Sequence, residues 1–296
     1  MPLLKHSPKD LNSIPQLFDR LLYRQRLQRG PSTLYKKLSR EVAKRLNQRL
    51  AYLRSDFPTT LLLGVEGDKL LDYLKNHKKT TLCIQAILAD TQQSQAYPTI
   101  ICDDEALPLA PGSVDLVIHF LGLHAANDVP GILTQSLALL KQEGLFLAAF
   151  IGNNSFSELR TVWATVELEQ YGGLSQRLSP WIRTRDAGAL LQRAGFGLPV
   201  ADCDKLTVTY PDLKTLLLDL KEAQATSFLK NRKAPPLTRG LLEKAELLYR
   251  DLFPGESNQG IQISLDIVYM SGWRPSAHHQ VALKPGTAMN QLADFL

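Results

Sequence analysis

The stretch Thr59–Leu74, "TTLLLGVEGDKLLDYL", decides the fold. Two threonines and three leucines form a short apolar run that reads as a buried strand. Gly64 and Gly67 then interrupt it, and an amphipathic run follows that reads as the start of a helix. A glycine turn between a buried strand and a helix is where open α/β sheets hold nucleotide-type ligands, on backbone N–H groups at the helix start. Glu66 and Asp68, however, stand where further glycines would suit such a turn.

The same alternation continues downstream. "TTLCIQAIL", "YPTIICDD", "SVDLVIHFLGL" and "GLFLAAFIG" read as strands two to five, with helices near 68–77, 128–141 and 155–170. Strands alternating with helices predict a mainly parallel sheet covered on both faces. "RDAGALLQRAGF" reads as a helix ending at Gly195, and "PVADCDKLTVTY" has strand character. Two helices are expected near 212–224 and 238–252. "GIQISLDIVYMSGW" then alternates as a last strand, expected antiparallel beside the fifth.

Upstream, "LFDRLLYRQRLQRG" (Leu17–Gly30) reads as an amphipathic helix stopped by Gly30-Pro31. Leu34, Leu38, Val42, Leu46, Leu50 and Leu53 recur at helical spacing and predict a second long helix, closed by Pro58. Residues 1–57 carry a net charge of +9, against −4 for the remainder. Arg20, Arg24, Arg26 and Arg29 belong to the first helix. Their face either lies solvated, with the stems covering apolar surface, or meets an acidic protein partner. No aromatic platform or nucleic-acid motif accompanies them, so nucleic acid is not expected.

Composition bounds the rest. With 296 residues, 44% hydrophobic and 21% charged, the chain suits one large α/β domain with additions. No run reaches the roughly 18 apolar residues of a membrane span. The start "MPLLKHSPKDLNSIP" lacks the apolar core of a secretory leader; an Arg-rich start also suits organelle import, a reading that Asp10 and Asp19 weaken. Cys83, Cys102 and Cys203 lie far apart in apolar runs, and the six histidines, His278-His279 included, show no zinc spacing. No metal is therefore expected, and the three thiols are expected buried and reduced, in a cytoplasmic compartment. Neither a Walker loop nor Gly-x-Ser-x-Gly occurs, so nothing points to phosphoryl or acyl chemistry.

Chemistry concentrates in Cys102–Leu133, "CDDEALPLAPGSVDLVIHFLGLHAANDVPGIL". Asp103, at a strand end, suits an exocyclic adenine amine, which a carboxylate accepts and an apolar side chain does not. The rival reading of Asp103-Asp104-Glu105 is a solvated turn. His124 beside Asn127 and Asp128 suits acid–base work or, equally, a helix cap. "SELR" offers Glu158 and Arg160, as site residues or as a surface helix start. Trp163, Trp181 and Trp273 are expected to pack.

The segments "LFDRLLYRQRLQR", "DDEALPL", "SVDLVIHFLGLHAANDVPG", "SELRTVW", "ELEQYGGLS", "LLQRAGF", "LKNRKAP" and "YMSGWRP" carry a resemblance. The chain resembles the methyltransferase-like assembly-factor family of respiratory complex I, which includes an arginine hydroxylase. It is more broadly similar to the malonyl-carrier-protein methyltransferases of biotin synthesis. "LFDR", "SELR…GGLS" and "LKNRK…SGW" are the specific part, because general methyltransferases do not share them. The resemblance implies a Rossmann-like sheet of seven mainly parallel strands, with a basic helical extension over 1–57. It implies a methyltransferase-like domain over 58–274, with a helical insertion at about 211–254, and a tail over 275–296.

The implied cofactor is S-adenosylmethionine, held by Gly64, Glu66, Gly67, Gln85, Asp103, Asp104, Glu105 and His119. His124, Asn127, Asp128, Glu158 and Arg160 are the candidates for the reacting end. Two departures weaken that cofactor site. The family's acid and Gly-x-Gly-x-Gly turn is here Leu62, Gly64, Glu66 and Asp68, the last a candidate helix N-cap. The acid expected at the end of the second strand is Ile87, with only Gln85 nearby as a polar substitute. Cofactor binding is expected to be weak. The function implied is a methyltransferase-like protein that acts on or assembles a protein partner. The alternatives are a non-catalytic assembly factor with a degenerate cofactor site, or a carboxyl methyltransferase of the biotin type.

Overall fold

The computed structural model describes residues 16–30, 33–76, 79–90, 96–223, 225–232, 235–255 and 259–276. Residues 1–15 and the tail from 277, with His278 and His279, lie outside the described residues. In chain order the elements are α1 (Arg20–Leu27), α2 (Thr33–Ala51), β1 (Thr59–Gly64), α3 (Asp68–Asn76), β2 (Leu82–Ile87), β3 (Thr99–Ile101) and β4 (Val114–Phe120). There follow α4 (Val129–Leu139), β5 (Leu140–Ile151), α5 (Ser157–Tyr171), α6 (Thr184–Ala194), β6 (Gly197–Tyr210), α7 (Leu213–Glu222), α8 (Arg239–Leu252) and β7 (Ile261–Trp273).

The seven strands form one sheet in the order β3-β2-β1-β4-β5-β7-β6. β1 pairs in parallel with β2 and β4, and β4 with β5. β7 runs antiparallel to both its neighbours, β5 and β6, as its position after two helices anticipates. The order reverses at β1, so β1 and β4 open a crevice at their carboxyl ends, where such sheets bind ligands.

Both faces of the central strands are buried, which is why they read as continuous apolar runs. Alternate residues serve different cores. Leu62, Leu116 and Ile118 pack under α2, α3 and α5, while Leu61, Leu63 and Val117 pack under α4 and α6. α2 belongs to the first core through Val42, Ala43, Leu46 and Leu50. Its polar side is tied to the far edge of the sheet, where Arg45 meets Asp204 at 2.9 Å and Arg49 meets Asp202 at 2.9 Å. Arg49 also lies 3.7 Å above the Tyr269 ring.

Three expectations change. The first helix starts at Arg20, because the Asp19 carboxylate accepts from the Leu22 N–H and caps it. Leu17 and Phe18, read as helical, are extended, and Phe18 bridges to Leu229. The third strand keeps only Thr99–Ile101, since an edge strand has one neighbour to hold it. Of the three thiols expected buried, only Cys83 is. Cys102 sits half-buried in the turn after β3, and Cys203 is exposed on the edge strand β6. Trp163 and Trp181 are buried, and Trp273 packs against the first core.

If α2 is part of the cooperative unit, Leu46→Ala, at a site with no solvent exposure, lowers unfolding stability by about 2–5 kcal/mol. A urea titration checks it. A change below about 0.5 kcal/mol, as at a surface position, means that α2 is a separate appendage.

Candidate functional site

The turn after β1 is closed by the protein's own atoms. Gly64 has φ +96°, and a Cβ there would lie 2.4 Å from the Phe120 carbonyl oxygen. Across from it, a Cβ on Gly122 would lie 2.8 Å from the Gly64 Cα. Glycine is needed at both because β1 and β4 end in backbone-to-backbone contact, with the His119 ring against both. The Val65 N–H donates to Phe120 O at 2.9 Å and fixes the turn.

Gln85, fully buried in β2, reaches the same turn. Its Oε1 accepts from the Gly67 N–H at 3.2 Å, and its Nε2 donates to Asp68 at 2.8 Å. The N–H that a ligand carboxylate would meet is therefore already paired. Asp68 is the first residue of α3 and not its cap. Gly67 takes the cap position, its carbonyl accepting from Leu70 and Leu71, because Asp68 is turned toward Gln85. Glu66 is half-buried at the turn, and Ile87 is buried at the end of β2.

The acidic turn holds a guanidinium. Arg20 donates through Nη2 to Asp103 at 2.5 Å and also to Asp104, with its Nε 3.9 Å from Glu105. Its Nη1 donates to the Ala125 carbonyl at 3.3 Å. The Arg20 side chain is 13% exposed and that of Asp104 6%. Burial alone would raise the Asp104 carboxyl. The hydrogen bond from His119, at 2.9 Å, and the charge of Arg20 more than reverse that and hold it well below the usual carboxylate range. Burial likewise opposes the charge on Arg20, and the three carboxylates outweigh it and raise the guanidinium. Glu105, pushed up by burial, accepts from the Asn127 and Asp128 N–H groups.

The remaining candidates are structural members of the same network or stand apart from it. The Asn127 amide pairs with both backbone groups of Phe18, accepting at 2.8 Å and donating at 3.1 Å. Asp128 caps α4 by accepting from the Gly131 N–H at 2.8 Å. His124 is buried, and burial with His119 nearby lowers it to about 3, so it stays neutral and cannot serve as an acid near neutral pH. Glu158 is buried on the other core and accepts from the Ser264 N–H at 3.2 Å. Arg160 is exposed and opens onto a separate groove beside α5.

α1 thus lies over the carboxyl end of the sheet. Beyond Arg20, Arg26 is buried and donates to Thr226 O at 2.6 Å and Ser227 O at 3.2 Å. The expectation that the four α1 arginines lie solvated or meet an acidic partner is corrected for Arg20 and Arg26, which serve the chain's own carboxylates and carbonyls. Arg24 and Arg29 are exposed. A cleft of about 190 Å³ lies here between Arg20, Arg24, Leu88, Cys102 and Asp103. Reasoning from sequence missed Arg20 as a site residue because its partners lie 83 and 84 positions away. The match of one helical cation to an isolated acidic turn was the available signal.

Arg20→Ala strands the buried Asp104 charge and is expected to cost about 3–5 kcal/mol. The pH sign follows from the depressed Asp104 carboxyl. Its contribution is fully present above the ordinary value of 3.8 and is lost as pH falls below it toward the folded value. Urea midpoints for the parent therefore drop on acidification below pH 3.8, and those of Asp104→Asn drop less. Parallel pH curves for the two proteins refute the assignment.

A model of the family described as methyltransferase domain matches residues 67–148. The mitochondrial arginine-hydroxylase NDUFAF5 of Homo sapiens is 32% identical over 299 residues, covering 98% of this chain and 84% of that protein. The malonyl-[acyl-carrier protein] O-methyltransferase of Gallionella capsiferriformans is 29% identical over 259 residues, covering 81% and 84%. Among solved structures, a putative methyltransferase from Bacillus halodurans superposes with a TM-score of 0.52 at 13% identity, covering 78% of this chain and 98% of that one, and shows the shared fold. The cytoplasmic expectation is overturned, for the NDUFAF5 relatives are named as mitochondrial proteins. Reduced thiols report a reducing compartment and do not say which. The chain belongs to the family of the arginine-hydroxylase NDUFAF5, on a methyltransferase-type domain.

Proposed function

We propose that this chain takes S-adenosylmethionine into the crevice at the carboxyl ends of β1, β2 and β4 once α1 withdraws. We propose further that it acts on or assembles a protein partner, as the complex I assembly-factor resemblance implies. The observation that carries the reading is Arg20. It occupies the same three carboxylates, Asp103, Asp104 and Glu105, that the resemblance assigns to the cofactor.

With α1 docked, the crevice does not fit the whole cofactor. The cleft of about 190 Å³ is below the roughly 300–1,000 Å³ of small-molecule sites. Gln85 covers the Gly67 N–H, and His119 fills the space against Gly64 and Gly122. With Arg20 gone, Asp103 becomes an acceptor for an exocyclic amine beside the apolar Leu88. Gln85 can turn from Gly67 and offer its amide to hydroxyl groups. Bound there, S-adenosylmethionine supplies an electrophilic methyl group. The chain's own part is to bind it, orient it and exclude water, for Asn127, Asp128 and Glu158 are engaged with backbone groups and His124 is buried and neutral.

Calorimetry tests this directly. Parent protein is expected to bind S-adenosylmethionine weakly, and Arg20→Gln, which frees the acidic turn, about tenfold or more tightly, the scale of one charge-assisted hydrogen bond. Equal affinities remove α1 as the gate. No heat from either protein at millimolar cofactor removes the cofactor from the reading.

A further inference from the structure

A second concavity lies on the other side of Leu17, between α5, the segment 172–180 and Leu229, with a volume of about 260 Å³. Four family-like segments that the sheet itself does not need meet there: "LFDR" brings Leu17, "SELRTVW" brings Arg160 and Trp163, "GGLS" brings Leu174 and Ser175, and "LKNRK" brings Leu229. Two guanidinium groups line it, and they differ in one respect. Arg177 is neutralised by the buried Glu167 at 2.5 Å, donates to the Pro235 carbonyl at 2.9 Å and lies 5.1 Å from the Trp163 ring centroid. Glu167 also accepts from the Ser175 N–H at 2.8 Å, so this pair builds the wall.

Arg160 has no carboxylate within ion-pair distance among the described residues, and burial of its stem lowers its guanidinium from the ordinary value. The groove therefore has one uncompensated cation set in apolar surface. Leu17 is 48% exposed and Leu174 66% exposed at its rim. Apolar surface continues along α5, because Arg160, Ala164, Leu168 and Tyr171 follow at helical spacing, with Leu168 and Tyr171 also exposed. The stripe is about 16 Å long at 1.5 Å per residue, the span of roughly five extended residues.

We propose that this groove docks a short segment of a partner protein bearing one carboxylate, seated on Arg160, with apolar side chains laid along Leu174, Leu168 and Tyr171. A lone cation selects a carboxylate and rejects a basic segment, and the exposed leucines supply the apolar area that gives the contact its affinity. The proposal rests on the reading that the chain meets a protein partner, and it needs no bound cofactor.

Selection from a random displayed peptide library, without S-adenosylmethionine, tests it and stays separate from the cofactor titration. Parent protein is expected to enrich peptides with one acidic residue flanked by apolar ones. The leading peptide is expected to bind Arg160→Gln about tenfold more weakly, the loss of one charge-assisted hydrogen bond. Arg160→Lys is expected to recover part of that affinity, and an unchanged melting temperature for both variants excludes misfolding. Enrichment without acidic residues, an acidic preference that survives Arg160→Gln, or no enrichment above bare support overturns the proposal. So does self-association in light scattering that Arg160→Gln abolishes, for the occupant is then a second copy.

Discussion

One guanidinium set among three carboxylates organises the carboxyl end of the sheet. Taking Arg20, Asp104 and His119 out of water is costly, and a buried ion pair of this kind repays the cost only when its hydrogen bonds are complete. Here they nearly are: Arg20 reaches Asp103, Asp104 and the Ala125 carbonyl, and Asp104 also takes His119. Everything else at this end is arranged around that cluster. Glu105 turns to the N–H groups of Asn127 and Asp128, Asn127 then holds Phe18, and Phe18 joins the segment at Leu229.

The cluster changes how the glycine turn is understood. Read alone, Glu66 and the missing acid at Ile87 suggest a cofactor turn worn by substitution. In the fold, Gln85 pairs the Gly67 N–H and Asp68, and it does so from the neighbouring strand at full burial. The turn is thus completed internally. A polar side chain that satisfies a buried N–H removes the penalty of leaving it unpaired, and a ligand has to displace it.

The central sheet was legible because its physics is local and periodic. "TTLLLG" and "SVDLVIHFLGL" are apolar on both faces, and a glycine turn with an amphipathic helix follows the first. The late strand was legible for the same reason, its position after two helices leaving antiparallel pairing beside the fifth. What escaped was set by long-range charge matching. Nothing in "LFDR" shows that Leu17 and Phe18 are extended, since apolar spacing there also suits a helix. Nor does "HAAND" reveal that its histidine is buried and neutral while its asparagine clasps the backbone of residue 18. Such roles depend on which segments meet, and periodicity carries no information about that.

The Arg26 contact to Thr226 spans 200 positions, and this separation imposes an order on assembly. During synthesis at about 5–20 residues per second, α1 leaves the ribosome roughly 10–40 s before the carbonyls that receive it exist. The acidic turn emerges in between, so Arg20 can find Asp103 and Asp104 well before Arg26 finds Thr226 and Ser227. For that interval α1 is held through Arg20 and through the Asn127 clasp on Phe18, without the Arg26 anchor. A nascent chain therefore passes through a stage in which α1 rests on the acidic turn without its second anchor, and the groove wall at Leu229 is not yet built.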